Sequence, residues 1–297
     1  MRVAMVVATG IAMAAAAVDG RELTSVYVIP AAANTVGEAG TDWHTDLTIQ
    51  NPQQHTLPIL IQFLPSNRSN ATGVPSVTVD VGAWETLNLW DVLGPDGFDV
   101  RGSTGALLVY PDDQEITCSG SQCDFALFSR TYTFNPQGEG EFGQAIPGFP
   151  ADLGLDRSVL AYLPQVSNTP DFRTNLGVAS WTGSGVTVRA DIQDESGTIV
   201  DSSDHYVPPF GHIQWRMSPA VEGGTAVIYM VGGPTDAVVY PYGSVINRPT
   251  GDPAFVEAQL SAVGFTAQAT TARLPRANPA RIPVPRFDVV RLKHGPR

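Results

Sequence analysis

The sequence predicts an all-β protein: two tandem immunoglobulin-like β-sandwich domains, behind a signal peptide and ahead of an extended C-terminal tail. Three observations carry that expectation. Short segments alternate apolar and polar residues, as in Asp46–Gln50, Ile59–Phe63, Val77–Val81 and Val186–Ile192. Gly, Pro, Asn and Asp punctuate them at the intervals of a sandwich. Outside the N-terminus no stretch holds a helical period of ten or more residues, although 252–263 has the pattern of a short helix.

The first 17 residues read as an address. Arg2 is followed by an apolar run from Val3, and small residues at Ala14–Ala17 supply A-x-A cleavage sites. The run is short for a membrane span, which needs about 20 residues. No second run of spanning length occurs, so export without a transmembrane span is expected. Cys118 and Cys123 agree with an oxidising destination. Only a turn-forming Ser-Gly-Ser-Gln separates them, which predicts a structural disulfide across a hairpin tip.

The body matches itself. Ile29-Pro30 and Asn34-Thr35 correspond to Leu163-Pro164 and Asn168-Thr169; Trp43–Leu47 corresponds to Phe172–Leu176. Gly105–Tyr110 corresponds to Gly224–Tyr229, and Asp124–Asn135 to Asp236–Asn247. Thr86–Leu89 corresponds to His212–Trp215. Five ordered matches with consistent parity indicate a tandem duplication. One sandwich is placed at 24–150 and the other at 157–250, joined by the Gly/Pro segment 148–154. Parity assigns Trp43, Leu47, Ile49, Ile61, Phe63, Leu87, Leu89, Leu107, Val109, Leu127, Phe172, Leu176, Val178, Val188, Ile213 and Val227 to the cores.

The strings Phe172–Ser180, Ser129–Phe134 and Glu141–Gly148 resemble motifs of tandem β-sandwich modules in secreted and cell-surface bacterial proteins. The resemblance spans about 25–250. It implies an exported sandwich architecture and no catalytic residue, because those modules have no assigned activity.

Charge narrows the partners. The chain of 297 residues carries 17 basic and 29 acidic side chains, a net charge of -12. Nucleic acid is excluded as the main partner, since phosphate binding needs a surplus of Lys and Arg. The charge is also divided. The Pro-rich tail, 262–297, holds seven basic residues against the lone acidic Asp288. Such a tail suits an acidic surface, and its Arg281–Arg291 alternation suits addition of a strand to a sheet edge.

Catalytic and metal signatures are missing from the sequence. His44, His55, His205, His212 and His294 form no H-x-x-x-H pair, and no G-x-S-x-G elbow or phosphate loop is present. His44 aligns with Arg173 and reads as a strand-face residue with a polar partner; His212 has solvent-facing parity. Asp91, Asp96 and Asp99, and Asp191, Asp194, Glu195, Asp201 and Asp204, lack EF-hand spacing and read as turn residues. No cofactor, metal or catalytic residue is assigned. Trp84, Trp90 and Trp181 are the candidate ligand-binding residues, because exposed tryptophans stack on sugars or anchor protein partners. The expectation is an exported, non-enzymatic structural or interaction protein with a protein or glycan partner at the cell surface. A carbohydrate-binding module and a hydrolase with catalytic residues scattered in sequence are the alternatives.

Overall fold

A computed structural model describes residues 22–136, 138–262 and 286–292. The proposed signal segment, 1–17, and most of the tail lie outside them. The described residues are all-β, with two short 3-10 turns at Glu38–Gly40 and Gly120–Cys123. Among them no helix is long and apolar enough to cross a membrane.

The first set of strands is β1 (Tyr27–Val36), β2 (Asp42–Gln50), β3 (Leu57–Pro65), β4 (Val74–Val81), β5 (Thr86–Leu89), β6 (Ser103–Pro111), β7 (Ala126–Phe134), β8 (Glu141–Ala145) and β9 (Phe149–Pro150). One layer runs β4-β3-β6-β1, with β9 on β1. The other runs β5-β2-β7-β8. β1 joins the layers, because Tyr27–Asn34 pairs with β6 and its last two residues, Thr35 and Val36, pair with β2. Inward-facing Leu47, Ile49, Ile61, Phe63, Val79, Leu107, Val109 and Phe125 fill the space between them. Alternation is what sorts them: β5 reads exposed Thr86, buried Leu87, exposed Asn88, buried Leu89.

The second set is β10 (Leu160–Asn168), β11 (Phe172–Ser180), β12 (Val186–Gln193), β13 (Ile199–Val207), β14 (His212–Arg216), β15 (Val221–Gly232), β16 (Val239–Asn247), β17 (Pro253–Glu257) and β18 (Gln259–Ser261). Its layers run β13-β12-β15-β10-β18 and β14-β11-β16-β17. Leu163, Leu176, Val178, Val188, Ile192, Ala226 and Ile228 form its core.

A third cluster lies between the two sets. Val26, Val28, Leu64, Ala106, Leu108 and Phe149 from the first meet Ala179, Trp181, Phe210 and Tyr240 from the second. The halves therefore share a buried apolar junction rather than a solvated hinge.

Several expectations change. Trp181 is 5% exposed and sits in that junction. The sequence places it at a strand end beside a loop, but the loop is covered by the other half. His212 is 1% exposed for the same reason: the outward face of β14 is docked. Where 252–263 has the pattern of a short helix, the described residues form β17 and β18 instead, because their backbone groups complete the edges of β16 and β10. Cys118 and Cys123 are disulfide-bonded as expected, but around the Gly120–Cys123 turn rather than a hairpin tip. Among the core choices, Phe172 is 40% exposed and Trp43 is half-buried, since both lie where a sandwich end opens.

Part of the tail adds a strand. β19 (Arg286–Arg291) runs parallel to the edge strand β4, with Val289 beside Ser76 and Val290 beside Val77. Arg291 reaches both Asp80 and Glu115, and Leu292 packs against the first core.

Candidate functional site

The outer face of β5-β2-β7-β8 carries a grouping of polar and aromatic side chains. Cross-strand register builds it: His44 lies beside Tyr132, Asp46 beside Arg130, and Thr48 beside Phe128. Alternation sends Ser129, Thr131 and Thr133 inward, where all three are buried, and leaves Phe128, Arg130, Tyr132 and Phe134 facing out.

Asp46 is the anchor of this face. It is 4% exposed, takes the Arg130 Nε at 3.0 Å, and accepts the backbone N–H of Asp91 at 2.9 Å. That bond holds Asp91 at φ 45°, a left-handed conformation that Asp tolerates better than most residues. Asp91 then meets His44 Nδ1 at 2.9 Å and accepts both contacts of the Asn34 amide at 3.0 Å. Arg130 continues to Glu141 at 3.0 Å and lies 4.3 Å over the Tyr132 ring. Burial, helped by Asp46 and Asp91, pushes the Tyr132 hydroxyl up to about 12. It therefore stays protonated and is unsuited to act as a base at neutral pH.

Around this fixed network stand exposed aromatics. Phe128 and Phe134 are more than half exposed, and Trp90, next to Asp91, is also exposed. Trp84 is 63% exposed in the turn before β5, at φ 62°. Trp84 and Trp90 are thus solvent-exposed; Trp181 does not join them. The contribution of Phe128, Phe134, Arg130 and Asp46 was missed by sequence reasoning. The alternation of Ala126–Phe134 was the available signal.

The corresponding face of the second set, β14-β11-β16-β17, is occupied. His212 bridges the halves: its Nδ1 meets Ser66 Oγ at 2.6 Å and its Nε2 meets the Tyr242 hydroxyl at 2.9 Å. Burial pushes its imidazole down to about 3, so it is neutral. A Ser–His contact invites a nucleophile reading, but both ring nitrogens are committed, no carboxylate orients the ring, and Ser66 also bonds Thr104. The arrangement is a polar latch. Asn70 adds to it by donating to the Phe210 carbonyl at 2.8 Å.

The acidic turns are accounted for locally. Asp194 accepts from Ser196 and from the Thr198 N–H within the β12–β13 turn, and Asp204 pairs with Arg189. Among the described residues no group of three His, Cys, Asp or Glu side chains is placed to hold a metal ion.

No protein-family model matches the chain, and no curated protein matches it. Among solved structures, similarity is found to the Bacteroides uniformis beta-glucuronidase 2 covalently bound to cyclophellitol-6-carboxylate aziridine. The identity is 13% and the TM-score 0.14, over 74% of this chain and 26% of that one. The match thus spans about a quarter of that enzyme's length, and nothing about the enzyme carries over to this chain.

Proposed function

We infer that the protein is an exported, non-enzymatic interaction module built from two tandem immunoglobulin-like sandwiches, and that it presents the outer face of β5-β2-β7-β8 to a protein partner at the cell surface. One observation carries the reading. The same face of the second set is used within this molecule as a docking surface, burying Ala179, Tyr240, His212 and Tyr242 against the first set. The face left open in the first set bears exposed Phe128, Phe134 and Trp90 around a fixed Arg130, the composition of an interface centre. Duplication is supported by strand order: apart from the β1–β2 link, the neighbours of β1–β9 recur in β10–β18, down to the short strand on β1 and on β10. The disulfide supports an oxidising compartment.

A photo-crosslinking residue placed at Phe134 or Phe128 in the producing cell tests this. A defined protein adduct from both sites, absent when the crosslinker replaces Tyr206 on the far edge strand, is the expected result. No adduct from either site would overturn it. Cell fractionation checks export; a cytoplasmic pool alone would refute that part.

Glycan binding is a second reading, favoured by the exposure of Trp84 and Trp90. A glycan array on the intact chain, with Trp84→Ala and Trp90→Ala controls, decides it. Binding lost in both variants supports it, and a blank array removes it.

A further inference from the structure

A cavity of about 380 Å³ opens where the end of the first sandwich meets the docked face of the second. Trp43, Glu38 and Gln144 line it from the first set; Arg173, Asn175 and Gln214 line it from β11 and β14. Its size is in the range of small-molecule sites. Its chemistry is one-sided.

Arg173 is the central group. Its side chain is 13% exposed, its Nε meets Glu38 at 3.3 Å, and its Nη1 makes a long contact of 3.4 Å to Asn175 Oδ1. Arg216 meets the same Glu38 at 3.5 Å. Glu38 stands at the rim, 63% exposed, so one solvated carboxylate faces two guanidinium groups. Burial holds Arg173 below its ordinary value; Glu38 opposes that, while Arg216 and Arg248 add to it. Among the described residues, Arg173 Nη2, Trp43 Nε1, Asn175 Nδ2 and the Gln214 amide donate to no protein acceptor. These donors are open to the solvent of the cavity, and with an arginine already touching one carboxylate they suit an oxygen-rich anion.

We propose that this cavity binds a small carboxylate, a hydroxy acid or a sugar acid, with Arg173 receiving the carboxylate and Trp43, Asn175 and Gln214 donating to the remaining oxygens. Glu38 competes for Arg173 in the empty site. The proposal is independent of the outer-face reading, since the cavity lies on the other side of the first set's β2 and on the docked side of the second.

Calorimetric titration of the full-length chain with malate and with galacturonate, each against its methyl ester, tests it and separates the two sources. The expected result is binding of at least one acid about tenfold or more tighter than its ester, the usual weight of a charge-assisted pair. Arg173→Gln removes that preference. Glu38→Gln strengthens binding several-fold, because the internal competitor is gone. If Arg173→Gln unfolds, as judged by circular dichroism, Gln214→Leu serves instead and weakens the acid several-fold. Absence of binding by both acids, equal binding of acid and ester, or an unchanged affinity in Arg173→Gln or Gln214→Leu would each overturn the proposal.

Discussion

The outer faces of β5-β2-β7-β8 and β14-β11-β16-β17 share strand order and register but meet different surroundings. Register aligns Asp46 with Asn175, Arg130 with Ser244, Thr48 with Gly177 and Phe128 with Tyr242, two residues on from the sequence match of 124–135 with 236–247, which sets Arg130 against Tyr242 because local similarity does not record which residues pair across strands. At these four positions the docked face is neutral, and its Arg173 lies at the cavity end of β11 paired with Glu38. Gly177 lacks a Cβ, which would lie 2.3 Å from the Tyr242 ring, so the ring can lie flat across the strand. On the open face the same positions hold an ion pair and an exposed phenylalanine. A sheet face that loses its water must shed unpaired charge or pair it, because burying charge is costly. The open face keeps its charges and satisfies them internally through Asp46. Its charges therefore need no partner to satisfy them, which is compatible with the interaction face proposed above.

The largest expected effect lies in the junction. Trp181→Ala removes a buried indole from the cluster that joins the halves and should cost about 3–5 kcal/mol. Trp181→Phe should cost far less, about 1 kcal/mol, since the indole N–H is buried without an acceptor among the described residues. Denaturant unfolding measures both. If Trp181→Ala cost no more than Trp90→Ala, the junction would not be part of the cooperative core.

The latch at His212 comes next, and pH probes it. His212 is neutral in the folded protein, held down to about 3 by burial, whereas an unfolded histidine titrates near 6.5. The unfolded chain thus binds the extra proton between these values. Stability contributed by the neutral ring is complete above about pH 6.5 and is lost as pH falls toward the folded value. By pH 5 the loss should be about 2 kcal/mol. His212→Gln should flatten that part of the stability–pH curve. An unchanged curve in the variant would show that another group sets the acid sensitivity.

These two sites also show what the sequence could and could not carry. Period-two alternation was enough to find Leu47, Ile49, Leu176 and Val178, because one side of each strand faces its own core. The same logic predicts that the other side is wet. It fails for Trp181 and His212, whose outward faces are covered by the other half of the molecule. Parity within one sandwich holds no information about a neighbour docked on it. The helical pattern at 252–263 fails for a related reason: free sheet edges at β16 and β10 offer its backbone partners that local periodicity cannot reveal. Of the candidate face, Trp84 and Trp90 were legible as large apolar residues beside a short strand. The Asp46–Arg130–Asp91 network depends on register across 84 residues of chain and was not.

Exchanging residues between the faces gives a smaller effect of defined sign. Asp46→Asn imports the residue of the docked face and leaves Arg130 with Glu141 alone. It should cost about 1–2 kcal/mol, the worth of charge-assisted bonds to a buried carboxylate. The reciprocal Asn175→Asp places a carboxylate where Asn175 already accepts from Arg173 and should be close to neutral. Thermal unfolding of both variants checks the pair. Equal penalties would mean that the two positions differ in packing rather than in charge.

The smallest expected effect on stability separates binding from folding most cleanly. Trp84 holds φ 62°, a region that costs a bulky L-residue about 1 kcal/mol, and 63% of the residue is exposed, so packing returns little. Its N–H still bonds the Gln53 carbonyl and its neighbour Glu85 closes the turn on Gly82, so the turn does not need the indole. Trp84→Gly should therefore leave stability unchanged or raise it by up to about 1 kcal/mol, whereas Trp84→Ala keeps the strain and gains nothing. That outcome would fit the reading proposed above, in which the indole serves contact rather than packing. If Trp84→Gly instead destabilised the chain by more than 1 kcal/mol, the indole would be packing against the turn, and Trp90 with Phe134 would be left as the aromatic anchors of the open face.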